Sequence, residues 1–458
     1  MQIGRKDLLW NYAATAMRIL SGIIVLPVML RLLPSEEVGI WAIFLSLTTI
    51  TSLLDFGFSH SFSRNITYVF SGVKEIKTEG FTIAETSDID YSLLKSLLTA
   101  MKRYYGITAL LFLIIFIVFS PFYLSSVLDQ YNGNKQEIWI AWYIFGILLA
   151  YELYTYYYNA ILTGRGLVKR SMQVTVLSQS VRIAVTIVLL LYGLGIISLV
   201  LGMLLGDILN RMLMYWAFYD KVTRDKLSLV NADSAWKTIR ILAPNSLKMG
   251  LITLSNFLRN QAIVLIAPFY LTLSELAEYG ISKQLIALIA TLGLTWYYTF
   301  LPVMAKYRVR DDSNGVKRLF IKGEIILLFV FATLGIVFLL FGNDVLLLIK
   351  SKTYLLCGGY LFLMLLFSLL ESNQNMAYGV LITKNEVPFF RANIFSGILS
   401  VLVLWLMLKF TSLGVLSFIL ATGLTLSLYL NWKLPLEVAK EINLKVKDYW
   451  TVLKSYKV

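Results

Sequence analysis

Twelve apolar runs divide the chain, each near or above the roughly 20 residues that an α-helix needs to cross a bilayer. They lie at about 8–33, 38–63, 104–128, 138–162, 172–192, 195–219, 241–269, 279–304, 321–344, 354–381, 391–410 and 413–436. The strands of a membrane barrel alternate apolar and polar residues over about ten positions, and these runs are longer and apolar on most faces. Composition agrees: 58% of the 458 residues are hydrophobic and 15% charged, against about 25% charged in a soluble domain. One cysteine, Cys357, excludes a disulfide framework and a Cys-based metal site. One histidine, His60, argues against His-ligated metals and a Ser-His-Asp triad. The first run is too long for a signal peptide, and Arg31-Leu-Leu-Pro-Ser-Glu-Glu37 offers no small-residue cleavage site, so it is expected to remain as a helix.

Loop charge orients the chain. With the N-terminus inside, 30 of the 41 Lys and Arg fall in inside segments and five outside, at Arg31, Lys135, Lys350, Lys352 and Lys409. An even number of spans and cytoplasmic termini follow. The net charge of +14 then reflects topology, and no nucleic-acid partner is expected.

An internal repeat organises the runs. Arg18, Pro27, Glu37, Gly39 and Ile40 recur 241 positions later as Arg259, Pro268, Glu278, Gly280 and Ile281. Leu194-Gly195 and Ser198 recur at offset 219 as Leu413-Gly414 and Ser417, and Thr163 at offset 220 as Thr383. The first half therefore carries about 20 extra residues, placed in the long inside loop 64–103. The expected fold is an all-α integral membrane protein, with twelve transmembrane helices in two six-helix lobes around a central cavity. The lobes are 1–219 and 241–436, joined by a basic linker, 220–240. Six spans per half give both halves one orientation, the arrangement of parallel-repeat transporters in which one lobe rocks against the other. Pro27 and Pro268 would bend equivalent helices. A basic tail, 437–458, carries apolar residues at helical spacing and is expected on the anionic inner leaflet.

Six basic residues lie four or more residues inside the runs: Arg18, Arg182, Arg211, Lys248, Arg259 and Lys283. A charge in the bilayer interior costs at least about 2.5–3.5 kcal/mol and marks function by default. Arg18 lies about ten residues, roughly 15 Å, into the first run, and Arg259 is its repeat mate. Lys248 precedes Arg259 by eleven residues, about three turns, which puts both on one helix face. Arg18, Arg182, Lys248 and Arg259 together suit an anion, and a diphosphate matches forked guanidinium donors with an ammonium. Arg211 has Asp207 at i−4 and reads as a structural pair; Lys283 reads equally as a snorkelling side chain. The interior acids Glu152, Glu371 and Asp55 are candidates for ion coupling. The first two, near-mates at offset 219, could equally be partners for Arg182 or Lys248. The clusters Tyr151–Tyr158 and Trp296–Tyr298 lie near cytoplasmic ends and read better as an interface belt than as sugar-stacking faces. Asp55-Phe-Gly57 lacks the company of a kinase signature, and no Walker sequence occurs.

Leu9-Trp10-Asn11-Tyr12, Leu30-Arg31-Leu32-Leu33, Glu37-Val38-Gly39-Ile40-Trp41-Ala42, Leu54-Asp55-Phe56-Gly57-Phe58 with Arg64, and Thr163-Gly164-Arg165-Gly166 carry a resemblance to the polysaccharide flippases that translocate O-antigen units. These form a branch of the superfamily that also holds multidrug extruders and lipid II flippases. The resemblance covers nearly the whole chain; the 64–103 loop departs from it. It implies a multi-pass secondary transporter of the bacterial inner membrane. Its substrate would be an undecaprenyl-diphosphate-linked oligosaccharide, moved during polysaccharide biosynthesis. Arg18 and Arg259 match the arginines thought to hold the lipid diphosphate in related flippases. H+ or Na+ would be the coupling ion, the polymerase machinery a partner, and no cofactor is called for. Two alternatives stand beside it: a cation-coupled multidrug antiporter of the same fold, which would want an acid-dominated cavity, and a membrane polysaccharide polymerase or glycosyltransferase, which would want a sizeable outer loop.

Overall fold

A computed structural model describes residues 5–76, 88–309, 312–382 and 389–454. The described residues are predominantly helical and contain no strand. In a bilayer the backbone must satisfy its own hydrogen bonds, which is why apolar runs of this length become helices. The chain divides into two compact units, Met1–Thr253 and Leu254–Val458.

The first unit holds α1 (Arg5–Leu32), α2 (Ser35–Asp55), α3 (Phe58–Phe70), α4 (Tyr91–Leu128), α5 (Lys135–Tyr154), α6 (Tyr157–Gly164), α7 (Val168–Leu191), α8 (Ile197–Phe218), α9 (Lys221–Ser228) and most of α10 (Ala235–Phe257). α7 packs on α1 and α8, α4 on α5, and α3 on α6. The second unit continues from α10 through a five-residue π-helix (Leu258–Ala262), α11 (Ile263–Ile266) and a 3-10 turn (Ala267–Phe269). It then holds α12 (Leu273–Val309), α13 (Ser313–Leu348), α14 (Gly358–Ile382), α15 (Phe390–Phe410), α16 (Val415–Leu426), α17 (Tyr429–Glu441) and α18 (Val446–Lys454). Here α12, α13 and α14 pack on one another, and α16 packs on α14 and α15.

Nine helical segments of the described residues are long and apolar enough to cross a membrane, and ten if α16 and α17, bent by 43° at their junction, count as one span. The expected count was twelve. α14 falls short on apolarity because Glu371-Ser-Asn-Gln-Asn375 interrupts it. The expected inside loop 64–103 is shorter than its sequence suggests: α3 runs to Phe70 and α4 begins at Tyr91. Residues 77–87 of it lie outside the described residues. The linker 220–240 contains α9, whose first turn is capped by the Asp220 carboxylate accepting from the Thr223 N–H at 2.8 Å.

Several spans are broken, and local chemistry sets each break. Between α2 and α3, Phe56 and Gly57 both take left-handed backbone, with φ of 46° and 73°. That conformation is strained for phenylalanine. Asp55 holds the corner: its carboxylate accepts the Ser59 N–H at 2.9 Å, the Ser59 hydroxyl at 2.7 Å and the Tyr105 hydroxyl. Tyr104 donates its hydroxyl to the Leu54 carbonyl at 2.9 Å. Pro27 sits within α1, which runs through it as helix, whereas its repeat mate Pro268 lies in the 3-10 turn. α12 opens on a capping box. The Thr272 N–H donates to the Glu275 carboxylate at 2.9 Å, and the Glu275 N–H donates to the Thr272 hydroxyl at 3.2 Å.

Thr163-Gly164-Arg165-Gly166 has a structural account. A Cβ on Gly164 would stand 2.7 Å from Ile66 and from the Ser63 carbonyl, so only glycine lets α6 approach α3 this closely. Arg165 then lies against the rings of Phe70 and Phe218. It donates to the Phe218 carbonyl at 2.6 Å and to Asp220 at 2.8 Å. The tail folds back on the second unit: Lys317 of α13 pairs with Asp448 of α18 at 3.0 Å, and Tyr449 donates to Glu324. Trp450 stays exposed.

Candidate functional site

In the second unit, charge gathers where the helix following α10 widens. The π-helix Leu258-Arg-Asn-Gln-Ala262 places three polar residues in one turn of an apolar span. Such segments interrupt the α-helical ladder and recur at functional sites. Arg259 is 5% exposed. Its guanidinium donates to the Glu371 carboxylate of α14 at 3.0 Å and to the Asn256 side chain at 3.2 Å. Its Nε is buried without a partner. Thr422 of α16 donates to the Arg259 carbonyl at 3.5 Å. Arg259 is the second residue of the π turn, which follows directly on the α-helix that carries Lys248. The Lys248 side chain lies outside the described residues.

Beside the ion pair lies a cavity of about 310 Å³ walled by the π-helix, α12, α14 and α16. Asn260, Gln261, Lys283 and Glu371 line it together with the rings of Phe367 and Phe418. Lys283 does not snorkel outward: its ammonium donates to the Asn260 carbonyl and lies over the Tyr279 ring, 5.8 Å from the centroid. Lysine at this position, read as equally bland or functional from sequence, is thus part of the charged centre. The signal for the site was present in the polar run Arg259-Asn-Gln261 inside an apolar stretch, but Lys283, Asn260 and Gln261 could not be assembled without the packing.

The first unit carries a second charged group. Glu152 of α5, Arg182 of α7, and Asp207 and Arg211 of α8 lie within electrostatic reach of one another. Two acids balance two bases. Gly206 lets α8 approach α7 here, since a Cβ on it would meet the Arg182 Cβ at 2.9 Å. The expected close pair of Arg211 with Asp207 does not form as an ion pair. Arg211 turns instead toward Met214, donating to its sulfur at 3.7 Å, and its Nε is buried without a partner. Asp55 belongs to neither group; its carboxylate is engaged by the donors at the α2–α3 corner. The Arg18 side chain lies outside the described residues. The tyrosine cluster is not confined to a belt: Tyr157 is buried, and its ring stacks on those of Tyr105 and Tyr158.

The helical fold has counterparts among solved structures. The chain superposes on the inward-facing conformation of a multidrug resistance MATE family transporter of the MOP superfamily. The TM-score is 0.69 at 14% identity, over 93% of this chain and 96% of that one. It also superposes on a MOP superfamily transporter from Pyrococcus furiosus, described as having a binding pocket of reverse polarity that suggests a different function. There the TM-score is 0.55 at 16% identity, over 96% of this chain and 95% of that one. At these identities the likeness is one of fold. No curated protein matches the chain. A family model described as "Polysaccharide biosynthesis protein" matches residues 97–357, more than half of the length, and the chain belongs to that family.

Proposed function

We propose that the protein is a flippase that moves an undecaprenyl-diphosphate-linked oligosaccharide from the inner to the outer leaflet of the bacterial inner membrane. Membership of a polysaccharide biosynthesis family supports the substrate class, and the transporter fold supports translocation in place of catalysis. The proposed architecture is twelve spans in two six-helix lobes, 1–219 and 241–436, joined by the linker 220–240, with both termini cytoplasmic. α1 and α14, at 28 and 25 residues, are long enough to add to the ten segments already counted. Arg18, Arg182, Lys248 and Arg259 would hold the diphosphate.

The observation that carries the reading is the ion pair of buried Arg259 with Glu371. A guanidinium at this depth needs an anion. Here its anion is a carboxylate that a proton can neutralise, and a diphosphate offers the same forked acceptor geometry. Protonation of Glu371 would release Arg259 to the substrate, and departure of the substrate would restore the pair. Glu152, set among Arg182 and Arg211, is the corresponding candidate in the first unit. Asp55, engaged at its corner, is the weakest of the three for coupling. A cation-coupled multidrug antiporter would want a net-negative pocket. The second unit's pocket joins Lys283 to a carboxylate already neutralised by Arg259, which disfavours a cationic drug.

The test is Arg18→Ala and Arg259→Ala, made singly and scored for surface glycan at matched protein level. Loss of glycan in both is expected, with lysine at either position restoring part of it. Normal glycan in both alanine variants would remove the diphosphate assignment. A fluorescent-protein fusion at residue 458 should fluoresce in the cytoplasm.

A further inference from the structure

We propose that the cavity of the second unit binds an acidic monosaccharide unit, a hexuronate-type sugar whose carboxylate is held by Lys283. The inference rests on the glycan-transport reading and narrows the class of glycan that reading covers.

Charge comes first. Arg259 and Lys283 bring two cations to this centre, and Glu371 brings one carboxylate. Glu371 is committed to Arg259 at 3.0 Å. Among the described residues Lys283 has no ion-pair partner; its ammonium donates to the Asn260 carbonyl and lies over Tyr279. One positive charge is therefore left over inside the membrane-spanning part of the unit. Glu371 also acts on this ammonium through space, but one carboxylate shared between two cations leaves the centre with net positive charge. An anion in the cavity would complete it.

Size and lining then select among anions. At about 310 Å³ the cavity falls within the range of small-molecule sites, about 300–1,000 Å³. A monatomic ion would leave most of it unfilled. The walls combine two kinds of surface. The side chains of Asn260, Gln261 and Glu371 supply hydrogen-bond donors and acceptors that pair with ring hydroxyls. Phe367 supplies an apolar wall for the C–H side of a pyranose, and buried Phe418 packs behind it. Phe367 is held firmly, because its ring lies against Gly423, where a Cβ would stand 2.0 Å from the ring edge. Phe418 is buried and sits 6.4 Å from the ring of Tyr279. A carboxylated sugar uses all of these together, whereas acetate would use only the charge and glucose only the hydroxyl and ring contacts.

The experiment uses the full chain, purified in detergent, with thermal unfolding titrated at constant ionic strength by sodium glucuronate, sodium acetate or glucose. Glucuronate is expected to raise the unfolding temperature with a half-saturation at least tenfold below that of either other probe. Lys283→Gln should remove that preference, and Lys283→Arg should keep at least part of it. Equal action of acetate would mean a plain anion site, and equal action of glucose a charge-blind one; either overturns the proposal. So does glucuronate binding that is unchanged in Lys283→Gln. The comparison of three probes on the wild-type chain decides the matter even if Lys283→Gln does not fold. Failure here with loss of surface glycan in Arg18→Ala and Arg259→Ala would leave the flippase reading standing. Selective glucuronate binding with normal glycan in those variants would refute that reading instead.

Discussion

The Arg259–Glu371 pair makes a quantitative demand. Its side chains are 6% and 26% exposed, so removing one partner strands a charge in a largely dry interior. Breaking a buried pair in this way costs about 3–5 kcal/mol, whereas replacing both members by apolar residues of similar volume is often close to neutral. The exposed edge of Glu371 puts the expectation for either single variant, Arg259→Met or Glu371→Met, near about 3 kcal/mol. For a unit the size of Leu254–Val458, each kcal/mol moves the unfolding temperature by about 2–4 °C, so a fall of about 6–12 °C is expected. The double variant should unfold above both singles, because it leaves neither member of the pair without its partner. Thermal unfolding of the four proteins in one detergent closes the double-mutant cycle. If the two effects simply add, so that the double variant is the least stable of the four, the pair carries no coupling and the account of Arg259 fails.

Gly164→Ala should destabilise the first unit by about 1–3 kcal/mol, since the new methyl would meet the Ser63 carbonyl at 2.7 Å; a lowered unfolding temperature with normal Arg259 chemistry would show it. Tyr105→Phe removes a donor from buried Asp55 and should cost about 1–3 kcal/mol, while Tyr104→Phe, which loses bonds to backbone carbonyls only, should cost less on the same scale. Lys317→Ala should loosen α18, read as faster tryptic cleavage at Lys445 or Lys447, and Asp448→Ala should do the same. The Asp220 carboxyl is held down at about 2, first by its hydrogen bonds from Thr223 and then by Arg165. Its contribution is complete above the unfolded carboxyl range and is lost only as pH falls toward 2, so Asp220→Asn should lower the unfolding temperature at pH 7 and have no effect at the lowest pH the protein survives.

The apolar runs were legible because a spanning helix advertises itself by length and composition alone. Their breaks were less so. Nothing in the hydropathy of 38–63 marks the corner at Asp55-Phe-Gly57, where Phe56 takes a backbone that its side chain disfavours and a carboxylate caps the next helix. The repeat pointed to Arg259 and Glu371 separately, as one member each of two mated pairs, yet it did not join them. Sequence offsets relate a residue to its counterpart in the other half, and say nothing about which helices within a half lie side by side. The pair forms because the π-helix presents Arg259 to α14, and a one-turn change of hydrogen bonding leaves no mark in residue composition.

Lys283 illustrates the same limit from the other direction, and it bears on how a charge in a span should be read. Depth in the apolar run 279–304 left it balanced between snorkelling and function, since a lysine one turn into a run can reach water; the helix in fact begins at Leu273, ten residues earlier. What decides the matter is the neighbouring backbone. The Asn260 carbonyl, in the widened turn, accepts the ammonium and draws it inward, and the nearby carboxylate is already taken by a guanidinium. A basic residue drawn inward by an offered carbonyl, with the neighbouring carboxylate shared with a guanidinium, is what the proposed sugar carboxylate would answer, whereas the group of Glu152, Arg182, Asp207 and Arg211 sets two acids against two bases. Among the described residues, the first unit's group sets two acids against two bases, and the second unit sets Lys283 beside a cavity of about 310 Å³ with its neighbouring carboxylate committed to Arg259.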